Sequence, residues 1–354
     1  MKSEESKEIG QRENRKAIVL AGGEGTRLRP VTGDTPKPLA PLLGRPLMEH
    51  ILRLLKKHGF TRVCASVCYR AEEIRRAFGD GSSLGLSLCY REEERPLGTA
   101  GGVKLCADFV GDEDVLIISA DAACDFDLNA LMDAHRRSGA AATLALYREA
   151  EPLRYGLALT DEAGFIRSFV EKPPWSRVVT DAVNAGIYVL SPRALAAIPA
   201  DTDFDFARDL FPLLLRQGEK LLGLPMEGYW CDVGTPLSYY RCCVDALEGR
   251  LALEPGEAFR SAAAGADTED EAVEPGLDCP CRSRAALMDA LSRSMLDMNA
   301  DYSDGIRLHG RGYELHIAPL AARSAVRIAV DSPDAEFARS LALSARDLAA
   351  AFDL

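Results

Sequence analysis

A chain of 354 residues is long enough for about two domains, one of them with a sizeable core. Hydrophobic residues at 47% and charged residues at 27% exclude a mostly disordered chain. The formal net charge of −12 argues against general binding to nucleic acid or to an anionic membrane, and leaves room for a local basic pocket that takes a phosphorylated metabolite.

Residues 1–15 read as a disordered leader, polar and mixed in charge, without the apolar core of a signal peptide. No apolar run approaches the roughly 18 residues of a membrane span, so the expectation is a cytoplasmic protein with no membrane partner. From Lys16 the chain alternates. Residues 16–21 (KAIVLA) form a short apolar run ending in glycines, as a buried strand does. Residues 47–58 put Leu47, Ile51, Leu54, Leu55 and His58 on one face, with Gly59 as the stop, and so predict an amphipathic helix. Strands at 60–69, 86–90, 115–120 and 141–147 and helices at 71–78, 100–109 and 128–137 continue the series. Such alternation builds a mostly parallel sheet covered by helices on both faces.

The rhythm then changes. Residues 156–170 read as a hairpin around Asp-Glu-Ala-Gly, 185–190 as a strand and 206–216 as a helix; 221–224 and 229–232 read as strands able to pair, before a last helix at 237–247. The 16–250 region is one expected domain. Residues 251–281 hold two Pro-Gly pairs and, from 252 on, eight acids against one base, and read as an acidic flexible linker. Residues 282–354 read as a small α/β domain, with helices at 285–298 and 334–350, a hairpin at 306–308 and 313–317, and a strand at 325–330. No internal repeat is visible.

The ten cysteines show no repeated C-x-x-C pair and the five histidines no ligand spacing, so the cysteines read as reduced thiols acting as small hydrophobes. Chemistry concentrates in residues 20–41, LAGGEGTRLRPVTGDTPKPLAP. Gly22, Gly23 and Gly25 after a buried strand allow backbone N–H groups to approach phosphates, and Arg27, Arg29 and Lys37 supply positive charge nearby. The loop is neither a Walker A motif nor a G-x-G-x-x-G turn, which removes the nicotinamide dehydrogenase alternative.

The complete segment, GGEGTRLRP followed by TPKPLAP, resembles the signature of the sugar-1-phosphate nucleotidylyltransferases, which join an NTP to a sugar 1-phosphate and release pyrophosphate. The resemblance covers about two thirds of the chain and implies a Rossmann-like, glycosyltransferase-A-like α/β fold with a mixed sheet flanked by helices. It implies that Ala21, Gly22, Gly23, Gly25 and Thr26 hold the nucleotide, Arg27 grips the leaving pyrophosphate and Lys37 neutralises phosphate charge. LGTAGG at 97–102, preceded by Glu92, Glu93 and Glu94, resembles the family's base-reading loop, with Glu92, Gly98 and Thr99 at the nucleotide; Thr99 also reads as a helix N-cap. Asp121, after the strand VLIISA, matches the first magnesium aspartate, but the family's Asn-Gly before it is Ser119-Ala120 here. Asp127 reads equally well as an N-cap.

Gly156, Glu171, Lys172 and Asn184 match the family's sugar pocket, Gly156 letting the sugar ring lie against the backbone. Asp232, in Trp-Cys-Asp-Val-Gly-Thr, matches the second magnesium aspartate. The implied cofactor is Mg2+ and the implied partners are the NTP and the sugar 1-phosphate, with a homo-oligomer left open. The run NAGIYVLSPRAL, with FDFARDLFPLLL and EGYWCDVGTPLSYYRC after it, looks most like the mannose-1-phosphate guanylyltransferase branch. Glucose-1-phosphate uridylyl-, thymidylyl- or cytidylyltransferases and a non-catalytic sugar-nucleotide-binding paralogue are the alternatives. The tail is similar in layout to a degenerate C-terminal domain of phosphohexomutases, with Arg323 and Ser324 in place of the usual phosphate loop and no mutase activity implied.

Overall fold

The computed structural model describes residues 14–149, 152–172, 178, 180–247, 249–256, 277–280, 300–301, 306–310, 313–319 and 325–331. The helices expected at 285–298 and 334–350 and the loop with Arg323 and Ser324 lie outside them. The chain divides into two compact units, Met1–Gly23 with Ile51–Trp230, and Glu24–His50 with Cys231–Leu354.

The first unit carries a nine-stranded mixed sheet. Its strands are β1 (Lys16–Ala21), β2 (Arg62–Val67), β3 (Ser87–Glu92), β4 (Val115–Ser119), a short β5 (Ala122–Cys124) outside that sheet, β6 (Ala142–Arg148), β7 (Gly156–Thr160), β8 (Ile166–Glu171), β9 (Ala182–Leu190) and β10 (Leu221–Pro225). The order is β8-β7-β9-β4-β1-β2-β3, with β6 beside β9 and β10 beside β6. Strands β4, β1, β2 and β3 run parallel, as do β6 and β10. Strand β9 runs antiparallel to β4, β6 and β7, and β8 antiparallel to β7. The strands of the 16–147 alternation, β1, β2, β3, β4 and β6, all run in one direction, as expected of them, while β9 and the edge strand β8 run the other way, which gives the mixed sheet flanked by helices that the resemblance implies.

Ala17, Ile18 and Val19 of β1 and Leu116, Ile117 and Ile118 of β4 are fully buried, which accounts for their unbroken apolar runs. Helices α1 (Leu47–Lys57), α2 (Ala71–Phe78), α3 (Gly98–Leu105) and α4 (Leu128–Ser138) connect the strands. The helix expected at 100–109 is interrupted at Cys106 and resumes as Ala107–Val110. The one expected at 206–216 is a wide turn, Phe206–Leu210, followed by α5 (Phe211–Arg216). Strand β10 pairs with β6 and not with the run at 229–232. That second run is held instead at Asp125, whose N–H donates to Tyr229 O at 3.2 Å and whose Oδ1 accepts from Tyr229 N at 2.7 Å.

In the second unit β11 (Trp230–Asp232) leads out of the first unit into α6 (Pro236–Leu247). A five-stranded sheet carries β12 (Leu277–Pro280), β13 (Ala300–Asp301), β14 (Ile306–Gly310), β15 (Tyr313–Pro319) and β16 (Ala325–Asp331). It runs β12-β16-β15-β14-β13, antiparallel throughout. Leu277–Pro280, read from sequence as the end of the acidic linker, is thus an edge strand. Among the described residues no helix is long and apolar enough to cross a membrane, and Cys64, Cys68, Cys89, Cys106, Cys124, Cys231, Cys242 and Cys243 are free thiols.

Candidate active site

The first unit carries Ala21, Gly22, Gly23, Glu92, Gly98, Thr99, Asp121, Gly156, Glu171, Lys172 and Asn184; the second carries Gly25, Thr26, Arg27, Lys37 and Asp232. In the first, β1 ends at the buried Ala21 and the chain turns through two glycines with different reasons to be glycine. A Cβ on Gly22 would stand 2.9 Å from Glu93 Oε1, whereas one on Gly23 would meet nothing within 4 Å. Gly22 is required by the protein's own packing, and Gly23 leaves open space where a ligand backbone contact is expected.

Glu93 is the residue that sequence reasoning named only in passing. Its Oε1 accepts from Ser66 Oγ at 2.8 Å and its Oε2 from Leu97 N at 3.0 Å, and a Cβ on Gly102 would stand 2.8 Å from Oε1. Glu92, one residue earlier, is about half exposed and pairs with Arg75 Nη2 at 2.8 Å. The carboxylate bonded to the 97–102 loop is therefore that of Glu93, while that of Glu92 faces Arg75. Strand periodicity explains the difference, since successive side chains leave opposite faces. Gly98 opens α3 with φ +70°. Thr99 lies inside the first turn and caps no residue of its own helix; its hydroxyl donates to Asp205 Oδ2 at 2.7 Å and accepts from Phe206 N at 3.0 Å.

Asp121 follows β4, with Ser119 Oγ donating to its Oδ1. Ala120 is fully buried and donates its N–H to Leu20 O at 2.9 Å. Among the described residues the non-glycine positions at positive φ are Asn14, Leu43, Arg70, Lys172 and Asp201, so the methyl group of Ala120 sits on ordinary backbone. Asp127 is an N-cap, accepting from Asn129 N and Ala130 N.

Around the expected sugar pocket, β8 pairs Glu171 with Gly156 of β7. A Cβ on Gly156 would stand 2.5 Å from Phe169 Cζ and 2.7 Å from Glu171 Oε2. The position a Gly156 side chain would take is thus occupied by Phe169 and Glu171, so this glycine also serves the packing of β7 against β8. Burial raises the Glu171 carboxyl above its usual range; Lys172 opposes the shift and Asp205 adds to it. Lys172 holds φ +42°, an uncommon conformation for a long side chain, and its ammonium is exposed, 3.7 Å from Glu171 Oε1. Strand β9 is irregular between Asn184 and Tyr188. That irregularity turns Asn184 inward, its Nδ2 donating to Tyr188 Oη at 2.8 Å while its Oδ1 accepts from Gly186 N at 3.1 Å. Trp230 donates Nε1–H to Ala185 O at 2.9 Å and packs edge-on against Tyr155.

In the second unit Gly25 takes φ +61°, and a Cβ there would stand 2.6 Å from Lys37 Cβ. This glycine lets the 26–28 turn close over the Lys37 stem. Thr26 and Arg27 are exposed on that turn, while Lys37 is buried with its ammonium 3.6 Å from Asp232 Oδ1. A Cβ on Gly234 would stand 3.1 Å from Asp232 Oδ2 and 3.2 Å from Arg27 Nη2, so the glycine of the Trp-Cys-Asp-Val-Gly-Thr run makes room for both charges. The next helix is tied down by Thr235 and Ser238, which bond each other's backbone N–H, and by Tyr239, whose hydroxyl donates to Pro41 O.

Among the described residues no group of three or more His, Cys, Asp or Glu converges as a metal cage. Asp121 and Asp232 are partly exposed carboxylates. Each is a hard oxygen donor of the kind that a cation such as Mg2+ takes one or two of, keeping water in the rest of its shell.

The family model described as nucleotidyl transferase matches residues 16–249. A UTP–glucose-1-phosphate uridylyltransferase of Synechocystis is 35% identical over 252 residues, 68% of this chain and 64% of that protein. A mannose-1-phosphate guanylyltransferase of Mycobacterium tuberculosis is 35% identical over 299 residues, 83% of this chain and 78% of that one. The chain thus spans less than two thirds of the length of the Synechocystis relative. Among solved structures, HddC from Yersinia pseudotuberculosis complexed with GMP-PN superposes with a TM-score of 0.57 at 27% identity, covering 65% of this chain and 98% of that one. A Bacillus anthracis protein described as a glucose-1-phosphate thymidylyltransferase gives a TM-score of 0.61 at 26% identity, covering 70% of this chain and 99% of that one. By the match over residues 16–249 and by these relatives, the chain belongs to the nucleotidyl transferase family.

Proposed function

We propose that this protein transfers a nucleotidyl group from an NTP to a sugar 1-phosphate and releases pyrophosphate, with GTP and mannose 1-phosphate as the preferred pair. The observation that carries the activity is the gathering of two cations from one stretch of sequence at another, Lys37 beside Asp232 and Arg27 beside Gly234. Such a cluster of cations beside a carboxylate is what a reaction on polyphosphate calls for. On this reading the phosphate oxygen of the sugar 1-phosphate attacks the α-phosphorus in line, a new P–O bond forms, and the bond to the β-phosphate oxygen breaks. Catalysis is orientation and charge neutralisation, without a covalent enzyme intermediate.

Lys37 and Arg27 meet the negative charge that builds on the leaving pyrophosphate. Backbone N–H groups around Ala21, Gly22, Gly23, Gly25 and Thr26 hold the nucleotide phosphates, and Gly98 and Thr99 face the base. Glu171 and Asn184 accept or donate hydrogen bonds at sugar hydroxyls, and Lys172 pairs with the sugar phosphate. Asp121 and Asp232 are the residues that would hold Mg2+, which when bound cancels phosphate charge.

The guanylyl and mannosyl preference is supported by the similarity to the Mycobacterium tuberculosis guanylyltransferase running over 83% of this chain. A uridylyl and glucosyl preference is the second reading, favoured by an equal 35% identity over a shorter region. Both are tested by incubating the protein and Mg2+ with GTP, UTP, dTTP, CTP or ATP against mannose, glucose and N-acetylglucosamine 1-phosphates, following pyrophosphate. Release with GTP and mannose 1-phosphate is the expected result. Release only with another pair moves the preference, and silence across the matrix overturns the activity.

A further inference from the structure

Residues 202–206 are woven into the base-reading loop. Phe204 N donates to Leu97 O at 2.8 Å, and Phe204 O accepts from Ala100 N and Gly101 N at 2.9 Å each. A Cβ on Gly98 would stand 2.7 Å from both Asp203 Oδ1 and Phe204 O, so the two segments touch backbone to backbone. At the next position side chains take over, with Thr99 donating to Asp205 Oδ2 and accepting from Phe206 N. The other carboxylate oxygen of Asp205 accepts from Ala207 N at 2.9 Å and Arg208 N at 3.0 Å. One side chain therefore caps a turn and holds the loop.

The turn it caps is wide, with Asp205 O accepting from both Asp209 N and Leu210 N at 3.0 Å. Such turns are rare and collect at functional sites. Its far side reaches the sugar pocket. The Phe206 ring lies 4.7 Å from that of Tyr188, whose hydroxyl accepts from Asn184 Nδ2. The negative charge of Asp205 also opposes ionisation of Glu171 and of Tyr188, as a carboxylate facing that pocket does.

Resting on the nucleotidyl-transfer reading above, we propose that Asp205 is a positioning residue that couples the two substrates. Thr99, seated against the base, is fixed by Asp205, and through Phe206, Tyr188 and Asn184 the same turn sets the sugar-hydroxyl ligands. A bound NTP then strengthens the binding of the sugar 1-phosphate.

The test is calorimetric titration of the full chain with mannose 1-phosphate, with and without saturating α,β-methylene-GTP, or with the equivalent pair if the activity matrix selects another. The ratio of the two dissociation constants measures coupling, and the unaltered protein is expected to bind the sugar phosphate at least about fivefold more tightly with the analogue present. Asp205→Asn keeps an oxygen for the cap, and Thr99→Val keeps the shape of its side chain on a different element. Each is expected to bring the ratio to within about twofold of unity, and the double variant to go no further than either single one. A ratio near unity in the unaltered protein, a ratio retained in both variants, or losses that multiply in the double variant would each overturn the coupling. Absence of turnover with every substrate pair overturns the activity reading instead, so the two failures are distinguishable.

Discussion

Lys37 Nζ lies 3.6 Å from Asp232 Oδ1, and the lysine is buried while the aspartate is about one-third exposed. An ammonium so placed is held at a fixed point beside a carboxylate that still reaches solvent. Asp232→Asn conserves shape and removes the charge. It is expected to lower pyrophosphate release by about 10²-fold or more, the size of losing a fixed electrostatic contact in a reacting site, with the melting temperature nearly unchanged. Lys37→Met is expected to cost at least as much activity. Because the two side chains are in direct contact and on the proposed reading serve one reacting centre, the double variant should be little worse than either single one.

The glycine loop holds one glycine in crowded space and one in open space. Gly25→Ala forces a methyl group into left-handed backbone and to within 2.6 Å of Lys37 Cβ. The expected result is a loss of about 1–3 kcal/mol in urea unfolding together with lost activity. Gly23→Ala meets nothing within 4 Å, so stability is expected to hold while the KM for the NTP rises. An unchanged KM in Gly23→Ala would remove this glycine from the phosphate site.

These glycines also show what was legible in the chain and what was not. The strand at 16–21, the helix at 47–58 and the strand at 115–120 were readable because buried runs and 3.6-residue spacing are local signals. The partner of β10 was not, because pairing is decided by which backbone arrives beside it, and β6 arrived through a connection the local pattern does not encode. The candidate site was legible as motifs. That Glu93, and not its neighbour Glu92, bonds the 97–102 loop is not readable from the motif, because choosing between adjacent positions requires the strand's register, where a slip of one residue reverses the face. The bond from Thr99 to Asp205 joins segments more than a hundred positions apart, and only the folded chain brings them together.

Ser119-Ala120, standing where the resemblance implies Asn-Gly, is expected to be neutral for backbone geometry. Ala120 is fully buried on backbone that any residue adopts. Ala120→Gly should therefore lower stability by about 0.5–1 kcal/mol through added chain entropy, without raising turnover. A gain in turnover would mean that the methyl group obstructs the site.

The imidazole of His58 gives a pH dependence whose sign can be worked out. Burial lowers its affinity for a proton below the ordinary histidine range, outweighing the attraction of Asp127. Its Nδ1 lies 3.2 Å from Asn129 Nδ2 and 3.4 Å from Asp127 Oδ1. With the folded-state value depressed, the unfolded chain binds more protons at mildly acidic pH, so stability rises with pH in that window. The contribution is complete above the unfolded value of about 6.5 and is lost as pH falls towards the folded one. Urea unfolding of the unaltered protein and of His58→Gln at pH 7.5, 6.5 and 5.5 checks this. The unaltered protein is expected to lose more stability across the series than the variant, and parallel curves would show that the proton is not taken up at His58.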